Sequence, residues 1–279
     1  MSTDDIATEN IEVELLLEAI YRKYGYDFRG YSKASIKRRL KHRLSLSELE
    51  TLTDMQREIL YNSDFFNILL QDMSINVTEM FRDPSFYKCL REVVLPSLAT
   101  HDLIKIWHAG CSTGEEVYSM AILLKELGIY EKSRIYATDF DINVLSKAKE
   151  GIYPADLLKK YIINYRESGG VESFTDYYSA KYELVMMDRS LKTNILFSDH
   201  NLVSDGSFGD MDLIICRNVL IYFGRELQDR VFKLFIDSLH TGAFLCLGTK
   251  ETIRVSSYSD LFENVVTNEK IYKKLGDDC

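Results

Sequence analysis

Two acids follow a glycine loop where a phosphate-binding chain would place none. In Ile104–Met120, IKIWHAGCSTGEEVYSM, an apolar strand (Ile104–Trp107) runs into small residues from Ala109 to Gly114, and a helix begins near Glu115. Strand, glycine loop and helix in that order receive nucleotide-like ligands in α/β sheets. Glycine lets the backbone come close and takes φ > 0 without strain, and the helix start presents unpaired N–H groups. A dinucleotide site wants GxGxxG with a pyrophosphate on the helix. Here three residues separate Gly110 from Gly114, and Glu115 and Glu116 come next. Acid at that point repels a pyrophosphate and suits a cationic ligand. S-adenosylmethionine fits, with a sulfonium, an ammonium and no phosphate. The same acids would also suit an ordinary βα turn, favoured by the helix dipole.

Further polar residues stand at strand ends. Asp139 follows Gly114 by 25 residues, at the tip of the second strand (Arg134–Thr138). An acid there accepts hydrogen bonds from ribose hydroxyls; it could also cap the next helix, as could Asp141. Asn201 follows the strand Ile195–Phe197, and Arg217 follows the largely apolar strand Met211–Cys216. Ligands in open α/β sheets bind at the carboxyl ends of strands, so Gly110, Asp139, Asn201 and Arg217 fall in one place. No Ser/His/Asp order, HExxH or CxxC is present. The five histidines show no ligand spacing, so each is expected in a structural or surface role, and no metal is expected.

The elements that must position these groups alternate strand and helix through the second half. That pattern predicts a doubly wound, mostly parallel Rossmann-like sheet. It occupies 97–279, with a closing antiparallel pair (Phe262–Val266 and Glu269–Leu275) and a small inserted β-subdomain at about 155–194, rich in Tyr and charge. Gly242 is expected to end the helix Glu226–Leu239, and Pro96 the helix Ser85–Val94. Residues 1–73 read as a small all-α domain whose first ten residues are disordered. Residues 74–96 form a linker and lead-in helix.

Hydrophobic content of 46% and 28% charged residues are ordinary for a globular chain. The net charge of −9 argues against bulk attraction to nucleic acid. Five scattered cysteines suggest a reduced, intracellular protein. The polar start is no signal peptide, and no apolar run reaches the length of a membrane span.

One helix inverts the local sign of charge. Across Tyr31–Leu46, Ile36, Leu40 and Leu44 make a buried stripe, with Lys33, Lys37 and Lys41 in a second row and Arg39 and Arg43 in a third. From Arg29 to Arg43 there are seven basic residues and no acid. Either this is a solvated face or it docks an acidic partner, since like charges on one helix cost stability.

Several stretches taken together resemble the chemotaxis receptor methyltransferases of the CheR family. They are NVTEMFRD (76–83), AGCSTGEEVYS (109–119), ATDFD (137–141), KAKEGIYP (147–154), DHNL (199–202) and CRNVLIYF (216–223), with LGTKE (247–251) a looser fit. The resemblance spans roughly 12–275 and keeps the order. It implies a cytoplasmic, monomeric protein-glutamate O-methyltransferase that uses S-adenosylmethionine and acts on the cytoplasmic helical hairpin of chemoreceptors. By position, Asn76, Thr78, Arg82, Gly110, Glu116, Asp139, Asn201, Leu202, Cys216 and Arg217 would touch the cofactor. Arg82 and Tyr222 would face the methyl-transfer centre, and Lys33, Lys37, Arg39, Lys41 and Arg43 would meet the receptor. His108 stands where the family usually has a small residue, and Phe140 where it has an aliphatic one. The competing readings are a methyltransferase for a small molecule or RNA and a non-catalytic cofactor-binding adaptor. A nucleotide-binding dehydrogenase lacks its GxGxxG.

Overall fold

The computed structural model describes residues 3–73 and 78–276; Asn76 of the expected cofactor set lies outside the described residues. The chain divides into two compact units, Met1–Asn76 with Tyr222–Gln228, and Val77–Ile221 with Asp229–Cys279.

The first unit contains α1 (Thr3–Tyr24), α2 (Lys33–Ser45), α3 (Leu52–Tyr61) and α4 (Ser63–Met73). Each buries the stripe its spacing predicts: Val13, Leu16, Leu17 and Ile20; Ile36 and Leu40; Met55 and Ile59; Phe66, Leu69 and Leu70. A reciprocal capping box between Thr51 and Asp54 sets the start of α3. The segment 222–228, read in sequence as part of the larger domain, packs here. Ser32 N–H donates to the Tyr222 carbonyl at 2.8 Å and Gly224 N–H to the Gly30 carbonyl at 2.8 Å. A Cβ at Gly224 would sit 2.9 Å from the Gly30 carbonyl oxygen, so only glycine allows that approach.

Three expectations for this unit are corrected. Residues 3–10 are helical, not disordered: Asp4 and Asp5 lie in the first turn of α1, on the favourable side of its dipole. Glu9 further along takes Lys37 at 3.1 Å and Lys41 at 2.9 Å. Arg39 does not project to solvent with the other bases. It follows Ile36 by three residues and adjoins Leu40, so it shares their face and is 5% exposed. Leu44, at the end of the expected stripe, is only half-buried.

The second unit opens with α5 (Pro84–Cys89), a π-turn (Leu90–Val94) and α6 (Leu95–Leu98). Pro96 therefore does not close the helix at Val94. The loss of its N–H from the ladder is absorbed next to the π-turn, and the chain stays helical to Leu98. There follow β1 (Ile104–Ala109), α7 (Glu115–Glu126), β2 (Ser133–Asp139), α8 (Ile142–Glu150), β3 (Ile152–Pro154), α9 (Leu158–Glu167), β4 (Tyr178–Lys181), β5 (Leu184–Met187), β6 (Ile195–Asp199) and β7 (Met211–Cys216). The unit closes with α10 (Arg225–Ser238), whose first residues belong to the other unit, β8 (Leu239–Leu247), β9 (Phe262–Val266) and β10 (Ile271–Lys274).

Seven strands form one sheet in the order β6-β2-β1-β7-β8-β10-β9. The first five run parallel, and β10 and β9 add antiparallel. The order reverses at β1, between β2 and β7, which is where such sheets open a crevice at their carboxyl ends. Strands β3, β5 and β4 form the separate small antiparallel sheet of the insert. Strand β8 starts directly after α10, so Gly242 does not end the helix. It lies at φ +84° inside β8, where Met211 pairs with Leu239 but Leu213 pairs with Phe244. The extra residues bulge out of the ladder, and glycine supplies the left-handed backbone.

Candidate cofactor site

The crevice gathers the loops after β1, β2, β6 and β7 and the linker before α5. The backbone there is unusual. Phe81 and Asp83 in the linker, Ser112 in the glycine loop and Asn218 after β7 all hold φ between 51° and 61° without being glycine. Such positions carry strain and persist only where the surroundings fix them. Phe81 is fixed by burial and by its N–H, which donates to Ser119 Oγ at 2.9 Å. Gly110 could not be replaced: at φ +83° its Cβ would lie 2.6 Å from Val219 Cγ2. A Cβ on Gly114 would meet that of Ala148 at 2.9 Å, so α8 packs directly on the loop.

Asp139 ends β2 as expected and is 8% exposed. Its Oδ2 accepts the Ser112 N–H at 2.9 Å and its Oδ1 the Asp141 N–H at 3.1 Å. Burial outweighs these bonds and pushes its carboxyl up to about 6. Asp141, not Asp139, caps α8, accepting from Asn143 N–H at 2.9 Å.

A chain of polar contacts links β1, α7, the β7 loop and the linker. His108 Nδ1 meets Glu116 Oε1 at 3.0 Å, Arg217 Nη1 meets Glu116 Oε2 at 3.4 Å, and Arg217 Nη2 meets Asp83 Oδ2 at 2.5 Å. Arg217 also lies over the Phe86 ring at 4.1 Å and donates to the Arg82 carbonyl at 3.3 Å. Burial opposes ionisation of Glu116, but the His108 hydrogen bond and the Arg217 charge hold its carboxyl below the ordinary value. Burial likewise works against the Arg217 charge, and Glu116 and Asp83 keep it protonated. Asp83 pairs with Arg217, and Glu79 pairs with Lys160.

The remaining expected residues fall as follows. Thr78 and Arg82 are half-buried in the linker. Asn201 accepts the Val203 N–H at 2.9 Å in a turn after β6, and Leu202 beside it is buried. Cys216 is fully buried, which pushes its thiol up, and it contributes shape rather than a nucleophile. Tyr222 belongs to the first unit, where the Arg39 guanidinium lies 4.4 Å from its ring centroid. Of the basic row, Lys33 pairs with Glu14 at 3.1 Å, Lys37 and Lys41 with Glu9, and Arg43 with Asp72 at 2.8 Å.

Three residues escaped the sequence reading. Asp83 and His108 complete the chain of contacts; both were in view, but nothing in one dimension tied them to Arg217 or Glu116. Glu251, in LGTKE, organises the β7 loop. Its carboxylate accepts the N–H groups of Gly248, Asn218, Val219 and Ile221 at 2.6, 3.0, 2.9 and 3.3 Å. A buried acid four residues after a strand end was the available signal.

Among the described residues the site pairs Glu116 and Asp83 with Arg217 and holds a carboxylate at the tip of β2. It fits a cationic nucleoside better than a dinucleotide. Comparison with known proteins agrees. Residues 76–271 match the family model "CheR methyltransferase, SAM binding domain", and residues 11–74 match "CheR methyltransferase, all-alpha domain". The chain belongs to the CheR methyltransferase family, whose α/β domain binds S-adenosylmethionine. It is 49% identical to the presumed methyltransferase Cher3 of Pseudomonas putida, over 95% of this chain and 97% of that one. It is 31% identical to a chemotaxis protein methyltransferase of Borreliella burgdorferi, over 87% and 88%. Among solved structures it is similar to the N-methyltransferase NodS of Bradyrhizobium japonicum, at 13% identity, with 70% of each chain covered and a TM-score of 0.34. No described helix is long and apolar enough to cross a membrane.

Proposed function

We propose that this protein transfers a methyl group from S-adenosylmethionine to glutamate side chains on the cytoplasmic helices of a chemoreceptor, giving glutamyl methyl esters. We take it to work as a cytoplasmic monomer. The observation that carries the acceptor's chemistry is Arg39. Its guanidinium is buried, stacks on Tyr222, and none of its three nitrogens has a hydrogen-bond partner among the described residues. A buried cation without an anion is costly. A substrate carboxylate would complete it, in the bidentate geometry guanidinium favours.

Bound S-adenosylmethionine supplies an electrophilic methyl group. In this reading Asp139 holds its ribose, and Glu116 faces its ammonium. Thr78, Arg82, Gly110, Asn201, Leu202 and Cys216 line it, while Arg217 ties Glu116 to the linker through Asp83. A glutamate carboxylate is already ionised at neutral pH, so no general base is required. What the chain contributes is orientation and exclusion of water, and orientation alone is worth several kcal/mol. Arg82 and Tyr222 are the residues proposed to orient the acceptor. The test is labelled S-adenosylmethionine offered with a chemoreceptor cytoplasmic fragment, with RNA, and with small carboxylic acids. Label on the fragment supports the reading. Label on another acceptor alone, or cofactor binding without transfer to any, refutes it.

A further inference from the structure

The amino ends of the central strands carry a second cluster of chemically capable groups, at the end of each strand opposite the crevice loops. His101 lies three residues before β1, Asp212 is the second residue of β7, and His240 is the second residue of β8. Because β1, β7 and β8 are neighbours in the sheet, these three residues meet. His101 Nδ1 lies 2.7 Å and His240 Nε2 2.9 Å from the same oxygen, Oδ1 of Asp212. One ligand atom from each lies within 4.8 Å of the others.

We propose that His101, Asp212 and His240 form a site for a divalent transition metal of the zinc class. Two imidazoles and one carboxylate are a donor set for zinc and its borderline neighbours, and a poor one for magnesium or calcium, which take oxygen ligands. Ligand bonds of about 2.0–2.1 Å place tetrahedral donors about 3.3 Å apart. Each imidazole would retreat from Oδ1 by about half an ångström, and the two ring nitrogens, within 4.8 Å of each other, would close on the ion.

The surroundings hold the donors in a receptive state. His240 Nδ1 is engaged with the Thr241 carbonyl at 2.8 Å, so Nε2 is the ring nitrogen turned to the cluster. Asp212 is buried, and its other oxygen, Oδ2, is held by the Lys105 N–H at 2.7 Å, so Oδ1 alone is presented. His240 sits in the bulge of β8 that contains Gly242, and bulges re-aim side chains. Both rings are partly exposed, at 38% and 37% for the side chains, which gives an ion a way in and leaves a fourth position for water. Such an ion would clip three parallel strands together where they begin, so its effect would be on the stability of the sheet and not on methyl transfer.

The test uses the full chain, dialysed against chelator and then titrated calorimetrically with zinc chloride, cobalt chloride and magnesium chloride. The expected result is one zinc per chain, a raised thermal midpoint with zinc, a tetrahedral visible spectrum with cobalt, and no response to magnesium. In His101→Gln and in His240→Gln, zinc should bind at least about tenfold more weakly and the cobalt spectrum should be lost. Both rings are partly exposed, so the variants should fold, with circular dichroism as the check; should either fail to fold, His101→Asn replaces it. Methyl transfer should be unchanged in both. No zinc binding by the wild type, or equal binding by wild type and variants, overturns the proposal.

Discussion

The guanidinium of Arg39 stands 4.4 Å over the ring of Tyr222, buried and without a hydrogen-bond partner among the described residues. Burial lowers its affinity for its proton from the ordinary arginine value. A hydrogen bond to a charged partner is worth about 1.5–3 kcal/mol. Arg39→Met should therefore slow receptor methylation at limiting receptor by about 10- to 100-fold and leave cofactor affinity unchanged. It should not lower the thermal midpoint, since removing an unpaired buried charge relieves a cost. A normal methylation rate in a folded Arg39→Met protein would make Arg39 a structural residue only.

Asp139 predicts opposite effects on stability and on binding. Its folded carboxyl titrates near 6, against about 3.9 for an unfolded aspartate. The folded state therefore holds the proton more tightly, and stability falls as pH rises from about 4 to about 6, by up to about 3 kcal/mol. Asp139→Asn removes that pH dependence but turns a donor toward one of the two backbone N–H groups, so its thermal midpoint without ligand should stay level from about pH 4 to about 6 while the wild type's falls. S-adenosylmethionine affinity should fall by about 1–3 kcal/mol in the same variant. In the wild type, affinity should decline as pH drops below about 6. Calorimetry showing the same affinity in both proteins across this range would remove Asp139 from the site.

Glu251 should behave as a positioning residue. Glu251→Gln turns one accepting oxygen into a donor facing backbone N–H groups, at a cost of about 2 kcal/mol. Hydrogen exchange should quicken at Asn218, Val219 and Ile221 before it does elsewhere in the sheet. Unchanged protection there would show that the loop keeps its shape without the carboxylate.

How much of this was legible beforehand differs by element. Gly110, Asp139, Asn201 and Arg217 could be grouped from the sequence because each follows a strand, and strand ends in a parallel sheet converge by topology. β7 was legible residue for residue, being apolar at every position but Asp212. The position of Arg39 was misread because a basic residue on an amphipathic helix was assigned outward, although its spacing from Ile36 places it inward. The pairing of Arg217 with Asp83, 134 residues apart, depends on where the linker folds back. The meeting of His101 with His240 depends on strand order. Neither relation exists along one dimension.

The basic row of α2 should steer receptor encounter only weakly. Lys33, Lys37 and Lys41 are already paired with Glu14 and Glu9, and such partly exposed pairs are worth under about 1 kcal/mol each. Lys33→Ala with Lys41→Ala should slow methylation less than about tenfold at low salt, and the difference should shrink as salt screens it. Reversing Arg43 is a poor probe, because it would face Asp72 with a second acid and unsettle the α2–α4 contact. Identical salt dependence in wild type and variant would mean these lysines serve only the fold.

The central claim is that the acceptor is a glutamate carboxylate. The most direct measurement is the fate of label carried from S-adenosylmethionine onto a purified chemoreceptor cytoplasmic fragment and then exposed to mild alkali. A glutamyl methyl ester releases its label as volatile methanol, and substituting the receptor's glutamates by alanine should abolish incorporation. Alkali-stable label, or incorporation that survives removal of the glutamates, would contradict the account.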